Sequence, residues 1–447
     1  MKSEFQRIYS LSEEGNRMNS FKIAIIGAGS TYTPELIDGF IKRKKELPVT
    51  SFYLMDIDKR KLKIVGNFAK RMLNANGIKC KFVLTEDLKT AVKDADFVLV
   101  QVRVGKLDAR IKDEKIPLKY DLIGQETTGI GGFMKALRTI PVMMDIAEYV
   151  ENYSPDAWLI NFSNPSGIMA EALLNHTKVK MIGLCNVPII MKRNAIQRVP
   201  EGSRSIGIDY VGLNHLSWIT AIYCDGREIL QDQLLEKTDF IDMKNISKMD
   251  MDKELIKSIR SIPSSYLQYY YYRERQLQHM KEEKKCRGEM CLEIEEELLK
   301  LYQQAELIEK PAILEKRGGH LYSEAAVSLV SAIYNNKNEE HIVNVKNNGA
   351  LDFMANDDVV EIACMVNKNG ATPQPFKSLD NDHIKGMMRV VKTYEKHTVK
   401  AGINGDYHEA LNALLIHPLV GDFRKAKDAL DDLLEAHKEF LPQFFNK

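Results

Sequence analysis

IAIIGAGSTYTPE, residues 23–35, is the stretch whose reading decides the fold of this chain. Ile23 to Ile26 is an unbroken apolar run, as a strand buried on both faces requires. Gly27-Ala28-Gly29-Ser30 follows, a turn that lets the backbone approach a pyrophosphate at a helix N-terminus. The helix starts at Thr33, with Pro34 in the tolerated first turn and Glu35 placed to favour the dipole. The third glycine of the usual dinucleotide pattern is missing, and Tyr32 stands in its place. A lone GxG is equally a tight turn. What raises it here is a second strand, Phe52 to Met55, that ends in Asp56. At that position a carboxylate accepts from the adenosine ribose hydroxyls and favours NAD over NADP. The plainer reading of Asp56 is a loop cap, and Arg60 nearby leaves a 2′-phosphate open. The expected cofactor-binding residues are Gly27, Gly29, Ser30, Thr31 and Asp56.

Working outward, strand and helix patterns alternate through the first half, the signature of a parallel sheet with crossover helices. Helix is expected over residues 59–74 and 139–149, and strand over 82–84, 95–102, 158–161 and 180–184. Ligands of open α/β sheets bind at the carboxyl ends of strands. Asp56, Arg103, Asn161, Asn164 and Cys185 all fall there. The second half changes character: residues 255–302 read as charged and helical around a tyrosine cluster. Further helices are expected at 323–334, 384–401, 407–415 and 426–440. The fold class is therefore α/β. A Rossmann-type parallel sheet over residues 21–200 is expected to bind NAD, and a mixed α+β, helix-rich part over 201–447 follows it. Residues 1–20 read as a polar extension, and Met18 as an alternative start.

The chain has 447 residues, 44% hydrophobic and 28% charged, with 63 basic against 62 acidic side chains. Such a balance points away from nucleic acid and anionic membrane as partners, and toward cations gathered locally at a site. Six cysteines without repeating spacing in a long chain fit a reducing cytoplasm better than a disulfide framework. No apolar run reaches the roughly 18 residues of a transmembrane span.

Two short segments carry the chemistry: GLCNVP around Cys185 and GLNHLSW around His215. A soft thiolate and an imidazole, each just past an apolar run, suit a divalent transition metal. The bland readings are a small buried cysteine and a core histidine bonded to a carbonyl. A nucleotide redox cofactor together with a metal implies attack on a C–H beside an oxygen.

An ordered set of segments runs from Gly27 to Val420: GAGSTYTPELI, QVRVGKLDARIKDEKIPLKY, GQETTGIGG, NFSNPSGI, GLCNVP, GLNHLSW, IPSSYLQYYY, VKNNGA and ALLIHPLV. The set resembles glycoside hydrolase family 4, glycosidases that stand outside the usual two-carboxylate scheme. The resemblance implies NAD plus a divalent metal, Mn²⁺, held by Cys185 and His215. It makes Tyr266 the base and Arg110, Asn164, Asn186 and Arg287 substrate-binding residues, with Glu126 near substrate or metal water. Without it, Tyr266 is one tyrosine of an aromatic helix face, Arg287 one of a surface ion pair, and Asn164 a turn residue. The pair Cys185-Asn186, where α-type members carry Cys-Asp, and Thr128 in GQETT resemble 6-phospho-β-glucosidases. Ile190 and Ala363 depart from the family pattern away from the inferred chemistry.

The implied reaction is hydrolysis of a phosphorylated disaccharide or other 6-phospho-β-glucoside by transient oxidation at C3, deprotonation at C2 and elimination of the aglycone. NAD is regenerated each turnover. A phenol of pKa about 10 is a poor base at neutral pH, and nearby cations are expected to favour the Tyr266 phenolate. The resemblance further implies a homodimer or homotetramer. The competing readings are a 6-phospho-α-glucosidase, an NAD-dependent 2-hydroxy acid dehydrogenase and a non-catalytic nucleotide sensor.

Overall fold

The computed structural model describes residues 21–197, 199–200, 202–231, 251–318, 321–376 and 379–445. The expected polar extension over residues 1–20, with Met18, lies outside them. Strands β1 (Lys22–Ile26), β2 (Ser51–Met55), β3 (Lys81–Thr85), β4 (Phe97–Val100), β5 (Trp158–Asn161) and β6 (Lys180–Gly183) form a parallel array in the order β3-β2-β1-β4-β5-β6. β1 pairs β2 on one side and β4 on the other, both parallel. The strand order reverses at that point, where a crevice opens at the carboxyl ends. β1 is buried throughout, as its apolar run predicts.

A second, four-stranded sheet follows: β7 (Ile206–Leu213) and β8 (Leu216–Cys224) form a hairpin, with the two-residue strands β9 (Arg227–Glu228) and β10 (Ile262–Pro263) on β8. The chain then returns to the first sheet. β11 (Glu339–Lys346), β12 (Val359–Asn367) and β13 (Gly370–Pro373) add antiparallel beyond β6, so that sheet has nine strands.

Several elements differ from the sequence reading. The strand expected over 95–102 is only Phe97–Val100, because the backbone at Gln101 turns against Gly27. A Cβ on Gly27 would lie 2.9 Å from the Gln101 carbonyl. The helix expected over 139–149 runs Gly129–Tyr153. Its first turn carries glycines, which let the preceding segment cross the helix closely. A Cβ at Gly131 would meet the Gln125 carbonyl oxygen at 2.4 Å, and one at Gly132 the Thr127 carbonyl carbon at 2.4 Å.

The region 255–302 is not one helix. It breaks into Lys253–Ile259, β10, a 3₁₀ turn Ser265–Leu267, and helices Gln268–Tyr271, Arg273–Glu282 and Arg287–Leu301. Pairing of Ile262 and Pro263 with β8 causes the break. Helices Lys106–Lys115, Ser166–His176 and Val187–Ile196 were absent from the sequence reading. The later helices Tyr322–Tyr334, Asp382–Asn404 and Tyr407–Ile416 lie where expected, and the C-terminal one is Phe423–Ala436 followed by a 3₁₀ turn. Among the described residues, no helix is long and apolar enough to cross a membrane, and all six cysteines are unbridged.

Candidate active site

A cleft of about 900 Å³ opens at the carboxyl ends of β1 and β4. Gly27, Gly29, Ser30, Asp56, Arg110, Asn164, Asn186, Tyr266 and Arg287 all line it. Gly27 takes a left-handed φ of +82°, which glycine adopts without penalty. Asp56 braces the turn: its Oδ2 accepts from the Gly29 N–H at 2.8 Å and its Oδ1 from the Asp58 N–H at 2.8 Å. A Cβ on Gly29 would stand 2.8 Å from that same Oδ2. Burial raises the Asp56 pKa against the pull of these two amides. A cradle that any Cβ would fill, beside a carboxylate at the end of β2, fits a dinucleotide. Thr31 lies behind the turn, fully buried, and its carbonyl accepts from the Tyr302 hydroxyl at 2.8 Å.

Cys185 and His215 are both buried, and their neighbours Asn186, Tyr266 and Tyr322 line the cleft. Cys185 follows β6, while His215 occupies the turn of the β7–β8 hairpin. Its Nε2 lies 3.4 Å from the Cys185 Sγ. The backbone at His215 is left-handed, with φ +66°, a conformation a non-glycine residue keeps only where its surroundings fix it. The Sγ also accepts from the Val187 N–H at 3.5 Å. Burial lowers the His215 pKa to about 3, so the imidazole is neutral and keeps a lone pair. Burial pushes the Cys185 thiol up to about 12. The His215 Nδ1 is buried without a hydrogen-bond partner.

One thiol and one neutral imidazole at that separation are donors that fit adjacent positions on one divalent ion, whose bonds to S and N run about 2.0–2.3 Å in zinc sites. Among the described residues, no third His, Cys, Asp or Glu joins them.

Tyr266 stacks on His215, with ring centroids 4.0 Å apart and an interplanar angle of 29°. Burial pushes its pKa well above the ordinary value, helped by the nearby Cys185 and Glu126. Residues of this chain alone therefore do not favour the phenolate, and the sequence expectation rests on the divalent cation beside it. Arg103 and Arg110 are turned to carboxylates instead.

Glu126 is where they turn. It accepts from Arg103 Nη1 at 2.6 Å, and Arg110 Nη1 and Lys135 Nζ each lie 3.0 Å from one of its oxygens. Burial alone would raise this carboxyl, but the three cations outweigh it and hold it well below the carboxylate range. Burial and the neighbouring Arg103 bring Lys135 down to about 7 against the pull of Glu126. Arg110 also donates to Glu114 Oε1 at 2.7 Å, and the bidentate pair of Arg138 with Asp113, at 2.8 and 2.7 Å, pins its helix to the long one beside it.

Arg287 donates to the Lys316 carbonyl at 2.6 Å. The adjacent Arg317 lines the same cleft, and its buried Nε has no hydrogen-bond partner. Asn164 offers a buried Oδ1, likewise without a partner, to the same space.

Sequence reasoning missed Lys135, Arg317 and Tyr322. Lys135 carries a local signal: it is the first charge in the apolar run GIGGFMKALR. Arg317 and Tyr322 carry none, because only the fold brings them to the cleft.

Residues 22–200 match the family model described as Family 4 glycosyl hydrolase, and residues 210–420 match its C-terminal domain. A Bacillus subtilis (strain 168) protein named "Probable 6-phospho-beta-glucosidase" is 44% identical over 436 residues, 95% of this chain and 98% of that one. A 6-phospho-beta-glucosidase of Escherichia coli (strain K12) is 40% identical over 436 residues, covering 95% and 96%. The structure of the Thermotoga maritima 6-phospho-beta glucosidase with manganese, NAD⁺ and glucose-6-phosphate superposes with a TM-score of 0.85 at 35% identity. That match covers 94% of this chain and 99% of that one.

Proposed function

The chain belongs to family 4 of the glycosyl hydrolases, and from that premise we propose that it is an NAD- and Mn²⁺-dependent 6-phospho-β-glucosidase. Its substrates are 6-phospho-β-glucosides such as cellobiose 6-phosphate, which it splits into glucose 6-phosphate and the aglycone. The observation that carries this reading is the meeting of Cys185 and His215 at 3.4 Å beside the cleft that also holds the Gly27–Ser30 turn and the arginines. A hydrolase of the two-carboxylate kind needs neither a nucleotide cradle nor a soft metal pair.

In this reading Gly27, Gly29, Ser30, Thr31 and Asp56 hold NAD, and Cys185 and His215 hold the metal. When bound, NAD would supply a reversible hydride acceptor for the sugar C3, and the cation would supply a Lewis acid for charge developing on the sugar. Tyr266 removes the C2 proton. Burial keeps its hydroxyl protonated in the chain alone, so the basic form depends on positive charge within about 4–6 Å. The unpartnered Asn164 Oδ1 accepts from a sugar hydroxyl, and Asn186 orients the ring where α-type relatives carry an acid.

Arg110 and Arg287 hold the 6-phosphate, since guanidinium forks match its oxygens bidentately. Residues 21–200 form the nucleotide half, and residues 201–447 bring His215, Tyr266, Arg287 and the contacts of a homodimer or homotetramer. Six unbridged cysteines support a cytoplasmic setting.

The test is an assay of 4-nitrophenyl β-glucoside 6-phosphate with NAD⁺ and Mn²⁺ each added or omitted, beside its α anomer and the unphosphorylated β compound. The expected result is nitrophenol from the phosphorylated β substrate alone, with both additives required and no net NADH. NADH accumulating without nitrophenol identifies a dehydrogenase instead, and cleavage of the α anomer overturns the weight on Asn186.

A further inference from the structure

β12 places a carboxylate in the core that none of the site chemistry above uses. Glu361 is fully buried, and among the described residues it pairs with no lysine or arginine. Its neighbours are hydrogen-bond donors. The Tyr210 hydroxyl donates to Oε2 at 2.6 Å and lies 2.7 Å from Ser217 Oγ. Both the Asn214 and the Asn344 side-chain amides donate to Oε1 at 3.1 Å.

Each asparagine leads to one member of the Cys–His pair. Asn214 immediately precedes His215 in the hairpin turn, and its Oδ1 accepts from the Gly167 N–H at 3.3 Å. Asn344 also donates to the Gly183 carbonyl at 3.3 Å, two residues before Cys185, and stands opposite Gly183 in the β11–β6 ladder. One carboxylate oxygen thus joins the turn that carries His215 to the strand that delivers Cys185. The two ligands come from different sheets, and no continuous element fixes their distance.

We propose that Glu361 is a positioning residue that sets the Cys185–His215 separation and with it the affinity for the divalent cation. The inference rests on the reading of those two residues as metal ligands. A buried carboxylate is costly to place without a cation. His215 sits in a backbone conformation that needs external support. The tether through Asn214 supplies that support, and the tether through Asn344 supplies the opposing anchor. Outer partners that orient ligands typically change metal affinity 10–100-fold when lost.

The experiment titrates the full-length protein with Mn²⁺ alone, followed by the paramagnetic signal of the free ion, alongside NAD affinity and melting temperature. Glu361→Leu, which keeps the bulk and removes both acceptors, is expected to weaken Mn²⁺ binding about tenfold or more while NAD affinity holds. Glu361→Gln, which still offers one oxygen to the two asparagines, is expected to restore most of it. Should the leucine variant fail to fold, Asn344→Ala cuts the Cys185 tether alone and carries the same expectation. Wild-type Mn²⁺ affinity in Glu361→Leu or in Asn344→Ala overturns the inference, and so does a parallel loss of NAD and Mn²⁺ affinity with lowered melting. Cys185→Ser serves as the control for the metal reading. If it binds Mn²⁺ like the wild type, the ligand assignment itself falls and takes the inference with it.

Discussion

The Cys185 sulfur and the His215 imidazole meet at 3.4 Å although they arrive from different sheets, one off the end of β6 and the other from the β7–β8 turn. A cation held between them would cross-link the two sheets, and a ligand that binds only the folded state stabilises it by about 2.7 kcal/mol at one hundred times its dissociation constant.

Mn²⁺ should therefore raise the melting temperature of the wild type, and a chelator should reverse the gain. His215→Ala should lose the Mn²⁺-dependent increment together with activity. A variant that still melts higher in Mn²⁺ places the cation elsewhere.

Tyr266→Phe removes the proposed base while leaving the ring that stacks on His215 at 4.0 Å. Turnover should fall about 10²–10⁴-fold, the usual worth of a positioned general base, with NAD and Mn²⁺ affinities unchanged in equilibrium titrations. Near-normal turnover would move the base to another group.

The parallel half was legible because its signal is local. Buried strands such as β1 and β4 are short apolar runs, and the helix N-terminus at Thr33 announces itself through Pro34 and Glu35. The return of β11 to β13 to the sheet was not legible. VVEIACMVN over 359–367 is apolar enough for a strand, but nothing in it says which sheet it joins. The helix start ahead of residue 139 was not legible either, because the close crossing of Gly131 and Gly132 by residues 125–127 is a tertiary fact. At the site, Cys185, His215 and Tyr266 stand out by motif. The pairing of Arg103, Arg110 and Lys135 with Glu126 does not, since nothing in the spacing of these four residues says that they meet.

Glu126→Gln leaves that cluster without its shared countercharge. Removing one partner of a buried ion pair costs about 3–5 kcal/mol, so the variant should melt well below the wild type. Inorganic phosphate or glucose 6-phosphate should recover more of that loss than it adds to the wild type, because the freed cations face the cleft. Equal ligand-induced shifts in both proteins would separate the cluster from phosphate binding.

His417 supplies a pH dependence away from the Cys–His pair. Its Nδ1 accepts from the Leu419 N–H at 3.1 Å, its ring packs edge-on to Tyr394 with centroids 4.4 Å apart, and burial lowers its pKa to about 3. Above the ordinary histidine value both folded and unfolded chains hold it neutral, and no stability is lost. As pH falls from about 6.5 toward 3, the unfolded chain takes a proton that the fold refuses, so stability declines. Melting temperatures between pH 4 and 7 should fall less steeply with acidification in His417→Asn than in the wild type. Parallel slopes would assign the acid sensitivity to other groups.

The most direct test of the central claim, that the glycosidic bond breaks by elimination after loss of the C2 proton, is hydrolysis of a 6-phospho-β-glucoside in D₂O with NAD⁺ and Mn²⁺ present. The glucose 6-phosphate released is examined by NMR for deuterium at C2. Because the C2 proton taken by the proposed base, Tyr266, is replaced from solvent, the account predicts a product labelled at C2. Product formed at full rate with an unlabelled C2 would contradict it and return the reaction to direct displacement at C1.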